Sequence, residues 1–407
     1  MSSLTITNAR VLTLAGSDVP RRGPALGALG VLERGFVRVE GTRIAAVGAG
    51  DPDGAAADET IDAGGRVLMP GFVDCHTHAC WAGDRFDEFE MKLSGRSYLE
   101  ILAAGGGIMS TVRAVRAASP DALAEALLQR LARMAALGST TVEVKSGYGL
   151  TTADELKMLR AIRVAAAATG QTVIPTFLGA HALDPDNPRC VDQTIDETLP
   201  AVADEFPGIA CDAYCEKGAW TLADTGRLFE RAAALGCPLR VHTDQFTSLG
   251  MTRLAIEMGA VSVDHLEATT PADLQLLAAS PTVGVALPAS GFHLDDGYVS
   301  GRALVDAGGV LALATNYNPG SAPTPSMPFV IALACRKLGL TPAEAIVAAT
   351  LNAAFVLGLQ GAVGSIEPGK RADLQLMDFT DERELGYEFA TAGPRLILCG
   401  GQVVKRF

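Results

Sequence analysis

Leu68-Met-Pro-Gly-Phe-Val-Asp-Cys-His-Thr-His78 is an apolar run that ends in two histidines at positions i and i+2. Side chains alternate between the two faces of an extended strand, so His76 and His78 project from one face at its end. Two imidazoles on one rigid strand supply half of a metal site. For an isolated pair the alternative is two surface histidines in a turn, but the order of the later residues favours the metal site.

Eight apolar segments of strand length follow from this stretch onward, and most are separated by helical patterns. Helices at 119–137, 153–169 and 221–235 show apolar residues at i, i+3 and i+4. Strands alternating with helices predict an α/β fold, a (β/α)8 barrel of the TIM type, with its chemistry at the carboxyl ends of the strands. The predicted strands are 71–78, 140–146, 172–180, 209–215, 238–244, 260–266, 282–288 and 310–316.

Short strands separated by turn residues occupy both ends of the chain. Neither end has enough strands for its own stack of sheets, so the two ends are predicted to pair into one small β-sandwich. This division assigns 1–68 and 360–407 to the sandwich and 69–359 to the barrel. The predicted strands of the sandwich are 4–7, 10–14, 35–40, 42–47, 373–378, 395–399 and 402–404.

The composition argues against several classes of protein. The 407 residues carry a net charge of −13 without a basic cluster, which argues against nucleic acid or an anionic membrane as a partner. No window reaches the ~18 consecutive apolar residues of a membrane span, and Met1-Ser-Ser-Leu4 does not resemble a signal peptide, so we expect a cytoplasmic protein. The eight scattered cysteines are predicted to be buried free thiols.

Polar residues with potential chemistry recur at the ends of the predicted barrel strands. Only His293, in the loop after the seventh strand, is a histidine outside this pattern. Five histidines at strand ends of one barrel are better explained by a shared site than by separate core roles. The residues are His76 and His78 (strand 1), Tyr148 (after strand 2), His181 (strand 3), His242 (strand 5), His265 (strand 6) and Asn316 (strand 8).

The imidazoles of His76, His78 and His242 would leave a zinc- or iron-like ion with open positions for a fourth ligand and a water. Such an ion lowers the pKa of its bound water toward neutrality, so hydroxide becomes available to attack a carbonyl carbon. The pattern therefore predicts hydrolysis of an amide-like bond. His265, directly after Asp264, is a candidate base or a group that polarises the substrate carbonyl; the alternative is a histidine satisfied by backbone carbonyls.

Arg85 follows the first strand, where its guanidinium could hold a substrate carboxylate in a bidentate pair. Pairing with Asp84 or Asp87 is the alternative. The glycine-rich runs 105–107 and 146–149 lack the known phosphate-binding fingerprints, so we interpret them as loops where backbone approaches a small ligand.

Several motifs together resemble the amidohydrolase superfamily and, in their extended form, its branch that acts in histidine degradation. The segment 70–78 resembles the metal motif that opens the barrel in that superfamily. The match spans essentially the whole chain. The other similar segments are 83–90, 103–113, 143–149, 212–216, 262–267 and 317–321.

The resemblance implies an enzyme with one zinc or iron ion per chain that opens the ring of 4-imidazolone-5-propanoate to give N-formimidoyl-L-glutamate. It implies metal ligands at His76, His78, His242 and position 316. We also expect a homodimer. Residues implied to surround the small anionic substrate or its product are Arg85, Tyr148, His181, Gln245, Asn318, Gly320 and Ser321.

The chain departs from the family pattern at position 316, where Ala314-Thr-Asn316 replaces Ala-Thr-Asp. Asparagine is isosteric with aspartate and offers a carbonyl oxygen, but it has neither the charge nor the basicity of a carboxylate. Position 245 is also an amide, Gln245, where some relatives have glutamate. His265 and Gln245 therefore remain as the candidate catalytic residues, with His265 as the base.

Three alternatives stay open at this point. The protein could be another amidohydrolase, either a cyclic amidase or a deaminase. It could be a catalytically silent small-molecule binding relative that has lost its ligand carboxylate at Asn316. A two-metal site bridged by a carboxylated Lys145 is the third.

Overall fold

A computed structural model describes residues 3–52, 57–96, 100, 105–389 and 393–406. Positions 103 and 104 of the motif 103–113, and parts of the predicted sandwich ranges (1–2, 53–56, 390–392 and 407), lie outside the described residues. Within those residues, no helix combines the length and the apolar character needed to cross a membrane.

Five strands near the start of the chain belong to one mixed sheet. The predicted strands 4–7 and 10–14 belong to one strand, Ser3–Leu12. The irregularity between them is local: Asn8 has a φ of 51°, and the register against the next strand shifts after Ile6. Asparagine tolerates this left-handed conformation, so the strand bulges without ending. The five strands are β1 (Ser3–Leu12), β2 (Val31–Glu40), β3 (Arg43–Ala49), β4 (Glu59–Asp62) and β5 (Val67–Pro70).

Eight parallel strands form the central sheet, hydrogen-bonded in chain order. The first and last meet beyond their carboxyl ends, where Thr77 bridges Tyr317 and the His78 N–H donates to the Tyr317 carbonyl at 3.0 Å. All eight predicted strands are present, and the (β/α)8 barrel is confirmed. The strands are β6 (Phe72–Asp74), β7 (Ser139–Lys145), β8 (Thr172–Ala180), β9 (Ala210–Cys215), β10 (Leu239–Thr243), β11 (Ser262–His265), β12 (Val283–Ala286) and β13 (Leu311–Leu313).

Helices connect these strands. The three predicted helices are confirmed at Pro120–Ala136, Thr152–Ala168 and Leu222–Ala234, and each follows a serine or threonine whose hydroxyl accepts a backbone N–H of the first turn. The other helices are Phe86–Leu93, Ile108–Ala117, Cys190–Gln193, Leu199–Glu205, Met251–Glu257, Pro271–Ala279, Pro288–Leu294, Gly301–Asp306, Met327–Lys337, Pro342–Ala348, Leu351–Val356 and Glu384–Tyr387, with a 3-10 helix at Gly23–Gly27 and a π-helix at Thr194–Thr198.

Three C-terminal strands complete the first sheet: β14 (Leu374–Met377), β15 (Pro394–Cys399) and β16 (Gln402–Arg406). β14 pairs antiparallel with β5, which joins the two ends of the chain as predicted. Hydrogen bonds link all eight strands of this sheet. The sheet has its own hydrophobic core, which is separate from the core of the barrel. The boundaries near 68 and 360 stay a prediction.

Candidate metal centre and active site

His76 and His78 extend from β6 into the barrel. Thr77, between them, turns the opposite way: its hydroxyl donates to the Glu143 carbonyl at 2.6 Å and its backbone N–H to the Glu143 carboxylate at 3.0 Å. Gly71 lets the strand approach β7, because a Cβ there would lie 2.2 Å from Oγ1 of Thr140. Both imidazoles are buried on the same side, as the i, i+2 spacing predicts.

His242, in β10, completes a cluster in which the three ligand nitrogens lie within 4.8 Å of one another. Nε2 of His78 and Nε2 of His242 are 3.1 Å apart. Among the described residues, Nε2 of His76 has no hydrogen-bond partner. Burial holds the pKa of His76 and of His78 well below the usual value and lowers the pKa of His242 to about 4. Neutral imidazoles are the metal-binding form, so this donor set fits a metal ion.

A buried aspartate orients each of two histidines of the cluster. Nδ1 of His76 lies 2.5 Å from Asp264 Oδ2, and Nδ1 of His242 lies 3.0 Å from Asp212 Oδ1. A carboxylate at Nδ1 fixes the tautomer that leaves Nε2 free to bind a metal. Neither aspartate was predicted to have a role. Both aspartates are acidic residues inside buried apolar strands, and that pattern could have indicated a role. Asp212 lies in the strand next to that of His242, and Asp264 directly precedes His265.

Asn316 lies against the same cluster, with a φ of 53° and its N–H donating to the His76 carbonyl at 3.0 Å. Nδ2 of Asn316 donates to Oγ of Ser290 at 2.7 Å. Its buried Oδ1 has no hydrogen-bond partner in the described part of the chain. Ser290, which was not foreseen, therefore turns the amide so that its carbonyl oxygen is free to act as a ligand.

His265 ends β11, and its ring centroid lies 5.6 Å from that of His242 and 6.0 Å from that of His76. Its Nδ1 contacts Oε1 of Glu267 at 3.2 Å. The predicted alternative, in which backbone carbonyls satisfy His265, is therefore wrong at this nitrogen. His265 and Leu266 both have positive φ values, 87° and 75°. Strained conformations of this kind cost about 1–3 kcal/mol each and concentrate at functional sites.

Aromatic rings surround the cluster on another side. His181 stacks on His78 with ring centroids 4.8 Å apart, and the ring of Tyr148 lies 5.2 Å from that of His181. Gly147 allows this packing: its φ is 105°, and a Cβ would lie 3.0 Å from Nδ1 of His181. Burial lowers the pKa of His181 to about 4 and raises the pKa of Tyr148.

Gln245, which follows β10, is anchored by Tyr214. The Tyr214 hydroxyl donates to Oε1 of Gln245 at 2.9 Å, and the Tyr214 ring lies 5.9 Å from His242 and 6.3 Å from His181. The structure thus places Gln245 near the histidine cluster, with its amide NH₂ available to donate a hydrogen bond.

Arg85 and the turn after Asn316 also come together. Oδ1 of Asn318 accepts the N–H groups of Gly320 and Ser321, each at 2.8 Å. A Cβ on Gly320 would lie 3.3 Å from Nη1 of Arg85. The Arg85 guanidinium pairs with Glu88, with Nη2 at 2.5 Å from Oε2, and not with either neighbouring aspartate predicted as an alternative partner.

The loop 146–149 binds a carboxylate of the chain itself. Glu155, fully buried, accepts the backbone N–H groups of Gly147, Gly149 and Leu150 at 2.8–3.0 Å. The interpretation of this loop as backbone open to a ligand is therefore wrong for these amides.

Two further residues lie apart from the predicted ligand set. His293 stacks on Phe89, with centroids 5.8 Å apart. Lys145 ends β7, and its Nζ lies 2.6 Å from Glu143 Oε1 and 2.8 Å from Asp212 Oδ2. Two ion pairs occupy its ammonium, which argues against the carboxylated lysine of a two-metal site.

A parallel barrel with buried neutral imidazoles at the carboxyl ends of its strands has the architecture of a metal-dependent barrel hydrolase. The model of the amidohydrolase family matches residues 67–404. An imidazolonepropionase of Herpetosiphon aurantiacus is 48% identical over 415 aligned residues, which cover 98% of this chain and 97% of that relative. The chain belongs to the amidohydrolase family and, within it, to the group of imidazolonepropionases.

Two solved structures share the fold. 5-Methylcytosine deaminase from Klebsiella pneumoniae superposes with a TM-score of 0.76 at 17% identity, covering 99% of this chain and 97% of that chain. An adenosine deaminase from Xanthomonas campestris with bound zinc gives a TM-score of 0.70 at 21% identity, covering 100% and 93%. These likenesses support the barrel and the sheet built from the chain ends.

Proposed function

We propose that this protein hydrolyses the ring amide of 4-imidazolone-5-propanoate to N-formimidoyl-L-glutamate in histidine degradation. The observation that carries the proposal is a buried cluster of three neutral imidazoles in a chain 48% identical to an imidazolonepropionase over nearly its whole length. Water adds to the ring carbonyl carbon, the carbon–nitrogen bond breaks, and the ring nitrogen takes up a proton. Assembly as a homodimer stays a prediction.

One zinc or iron ion per chain would be held by His76, His78 and His242, with Oδ1 of Asn316 as the fourth ligand. Nε2 of His76 and Oδ1 of Asn316 support this set, because both are buried acceptors without a hydrogen-bond partner among the residues that the structure describes. An adenosine deaminase of the same fold has bound zinc, which supports zinc as one of the two candidate metals. When bound, such an ion polarises a carbonyl and makes a nearby water more acidic.

His265 is the proposed base. Its Nδ1 contacts Glu267, which leaves Nε2 to take a proton from the attacking water and return it to the leaving nitrogen. Gln245 is the second catalytic residue: it cannot accept that proton, but its NH₂ can donate to a developing negative charge on oxygen. Burial of the cluster keeps these groups away from bulk water.

The substrate's propanoate requires a local positive charge in a protein of net charge −13. Arg85 is the proposed source: its Nη2 pairs with Glu88, and its Nη1 lies next to Gly320 in the turn after Asn318, where it can donate to the propanoate. The proposed substrate-binding residues are Arg85, Tyr148, His181, Gln245, Asn318, Gly320 and Ser321.

Turnover of 4-imidazolone-5-propanoate and element analysis on the same preparation test the proposal. We expect about one ion per chain and formation of N-formimidoyl-L-glutamate. Two ions per chain would contradict the single-metal site. Metal-loaded protein that binds the compound without turnover would be a silent relative, and turnover of a different cyclic amide or of an amino-purine or pyrimidine would identify another amidohydrolase.

Arg85→Lys should raise KM for 4-imidazolone-5-propanoate more than it lowers kcat. The substitution replaces the planar guanidinium, which can make two hydrogen bonds to one carboxylate, with a compact ammonium. One charged hydrogen bond to the substrate carboxylate, of about 1.5–3 kcal/mol, is then lost. Steady-state kinetics measure both constants. Arg160→Lys, in an exposed pair with Glu205, is the matched control. An unchanged KM in Arg85→Lys would mean that Arg85 serves the structure alone.

A further inference from the structure

We propose that Glu143 is a positioning residue: through a buried network of charges it sets the orientation of the proposed metal ligands His76 and His242. This role rests on the ligand set of the proposed function. The hydrogen bonds of the Glu143 carboxylate in the described part of the chain go to Thr77, Lys145 and Arg240 and not to either histidine, so it acts through other groups.

The Glu143 carboxylate is fully buried in β7 and contacts three groups. Its Oε1 lies 2.6 Å from Nζ of Lys145 and 3.3 Å from Nη1 of Arg240. Its Oε2 accepts the N–H of Thr77, the residue between His76 and His78, at 3.0 Å. One carboxylate thus joins two buried cations to the backbone that carries His76 and His78.

Each cation in turn contacts one of the aspartates that orient the histidines. Nζ of Lys145 lies 2.8 Å from Oδ2 of Asp212, and Nη2 of Arg240 lies 2.8 Å from Oδ2 of Asp264. Every side chain in these pairs is exposed by 2% or less. Glu143 therefore reaches His242 through one cation and aspartate, and His76 through the other.

Arg240 is held by a full set of acceptors. Besides its two carboxylate partners, its Nε donates to Oγ of Ser262 at 3.0 Å and its Nη2 to the carbonyl of Cys75 at 2.8 Å. Cys75 directly precedes His76. The guanidinium is therefore bonded both to the backbone directly before His76 and to the aspartate that contacts His76.

Charge balance explains how Glu143 would act on the ligands. Buried ions are tolerated only when they are paired, and removing one partner leaves the other uncompensated. Without the Glu143 charge, Lys145 would interact more strongly with Asp212, and Arg240 with Asp264. Those aspartates would then accept more weakly from Nδ1 of the histidines, and the imidazoles would become poorer ligands.

Glu143→Gln keeps the shape of the side chain and removes its charge. We expect the dissociation constant for Zn²⁺, measured on metal-free protein by chelator competition, to rise about 10–100-fold, as for the loss of a ligand-orienting partner. The visible spectrum of Co²⁺-substituted protein should also change, because it reports the ligand geometry. Glu143→Asp, which keeps the charge, should bind more tightly than Glu143→Gln.

Glu382→Gln is the matched control, since Glu382 is buried and paired with Arg10 in the other sheet; its Zn²⁺ affinity should stay at the wild-type value. Should Glu143→Gln fail to fold, Glu143→Asp serves as the test, because it keeps the buried negative charge but shortens the side chain by one methylene. It should bind Zn²⁺ more weakly than the wild type, because the shorter carboxylate cannot contact Lys145, Arg240 and the Thr77 N–H together.

Wild-type affinity and an unchanged Co²⁺ spectrum in folded Glu143→Gln would overturn this role. Where Glu143→Gln does not fold, wild-type affinity in Glu143→Asp would overturn it. Wild-type protein without any affinity for Zn²⁺ or Co²⁺ would overturn the ligand set together with it. The affinity measurement needs no substrate, so protein that binds metal but leaves 4-imidazolone-5-propanoate intact would contradict the proposed activity alone.

Discussion

His76→Ala should abolish both metal binding and hydrolysis. The substitution removes one of three imidazoles and leaves Asp264 without the ring that it orients. Loss of a partner that merely orients a ligand already costs about 10–100-fold in metal affinity, so loss of the ligand itself should cost more. Element analysis of the purified variant and its turnover of 4-imidazolone-5-propanoate measure the two effects.

His293→Ala is the control for this variant, because His293 stacks on Phe89 and is not a member of the histidine cluster. It should keep its ion and its activity. A folded His76→Ala protein that still carries one ion per chain would show that the ion lies elsewhere. Circular dichroism checks that the variant is folded.

Asn316→Asp should raise kcat, and by a large factor. A carboxylate at this position adds an acceptor that can take the proton of the attacking water and pass it to the leaving nitrogen. A well-placed general base contributes about 10²–10⁴ in rate, whereas excess metal in the assay can offset weak retention of the ion. We therefore expect the gain in kcat to persist at saturating metal.

The surroundings of Asn316 accommodate the aspartate. Aspartate tolerates the left-handed φ of 53° about as well as asparagine. The Ser290 hydroxyl, which now accepts from Nδ2 of Asn316, can rotate and donate to a carboxylate oxygen instead. The change therefore adds a charge without breaking a buried contact.

Kinetics at saturating metal, together with the Zn²⁺ dissociation constant, test this expectation. Asn187→Asp, in a loop where Nδ2 of Asn187 donates to Gln193, is the control and should leave the rate unchanged. If Asn316→Asp tightens metal binding and the saturated rate stays the same, the carboxylate is only a ligand and His265 already supplies the base.

The barrel could be predicted because its strands are buried on both faces and therefore read as unbroken apolar runs. The helices that start after a serine or threonine cap were equally clear. The strands missed or misjudged lie in the other sheet. Asn8 is a residue typical of turns, but here it lies in a bulge of β1. The strand Glu59–Asp62 was not predicted, because two of its four residues are acidic; it is largely exposed and pairs with β1.

The clustering of His76, His78 and His242 could be predicted from the sequence, because the carboxyl ends of the strands of a parallel barrel meet at one end. The groups that orient them could not. Asp212, Arg240 and Glu143 sit in three different strands, and only the register of the barrel brings their charges together. Ser290, which accepts a hydrogen bond from Asn316, lies in the helix Pro288–Leu294, and no local sequence pattern indicates that contact.

The bridge between Thr77 and Tyr317 has a consequence for the order of folding. It closes the barrel between the first strand and the last, and the adjoining hydrogen bond from Asn316 to His76 joins two proposed ligands across the same seam. Contacts between segments so distant in sequence form late, after the intervening chain has been ordered. During synthesis, a nascent chain would therefore hold its histidines long before it has the complete set of ligands. Metal would be captured with full affinity only after the eighth strand has docked, and it would then favour the closed barrel by mass action.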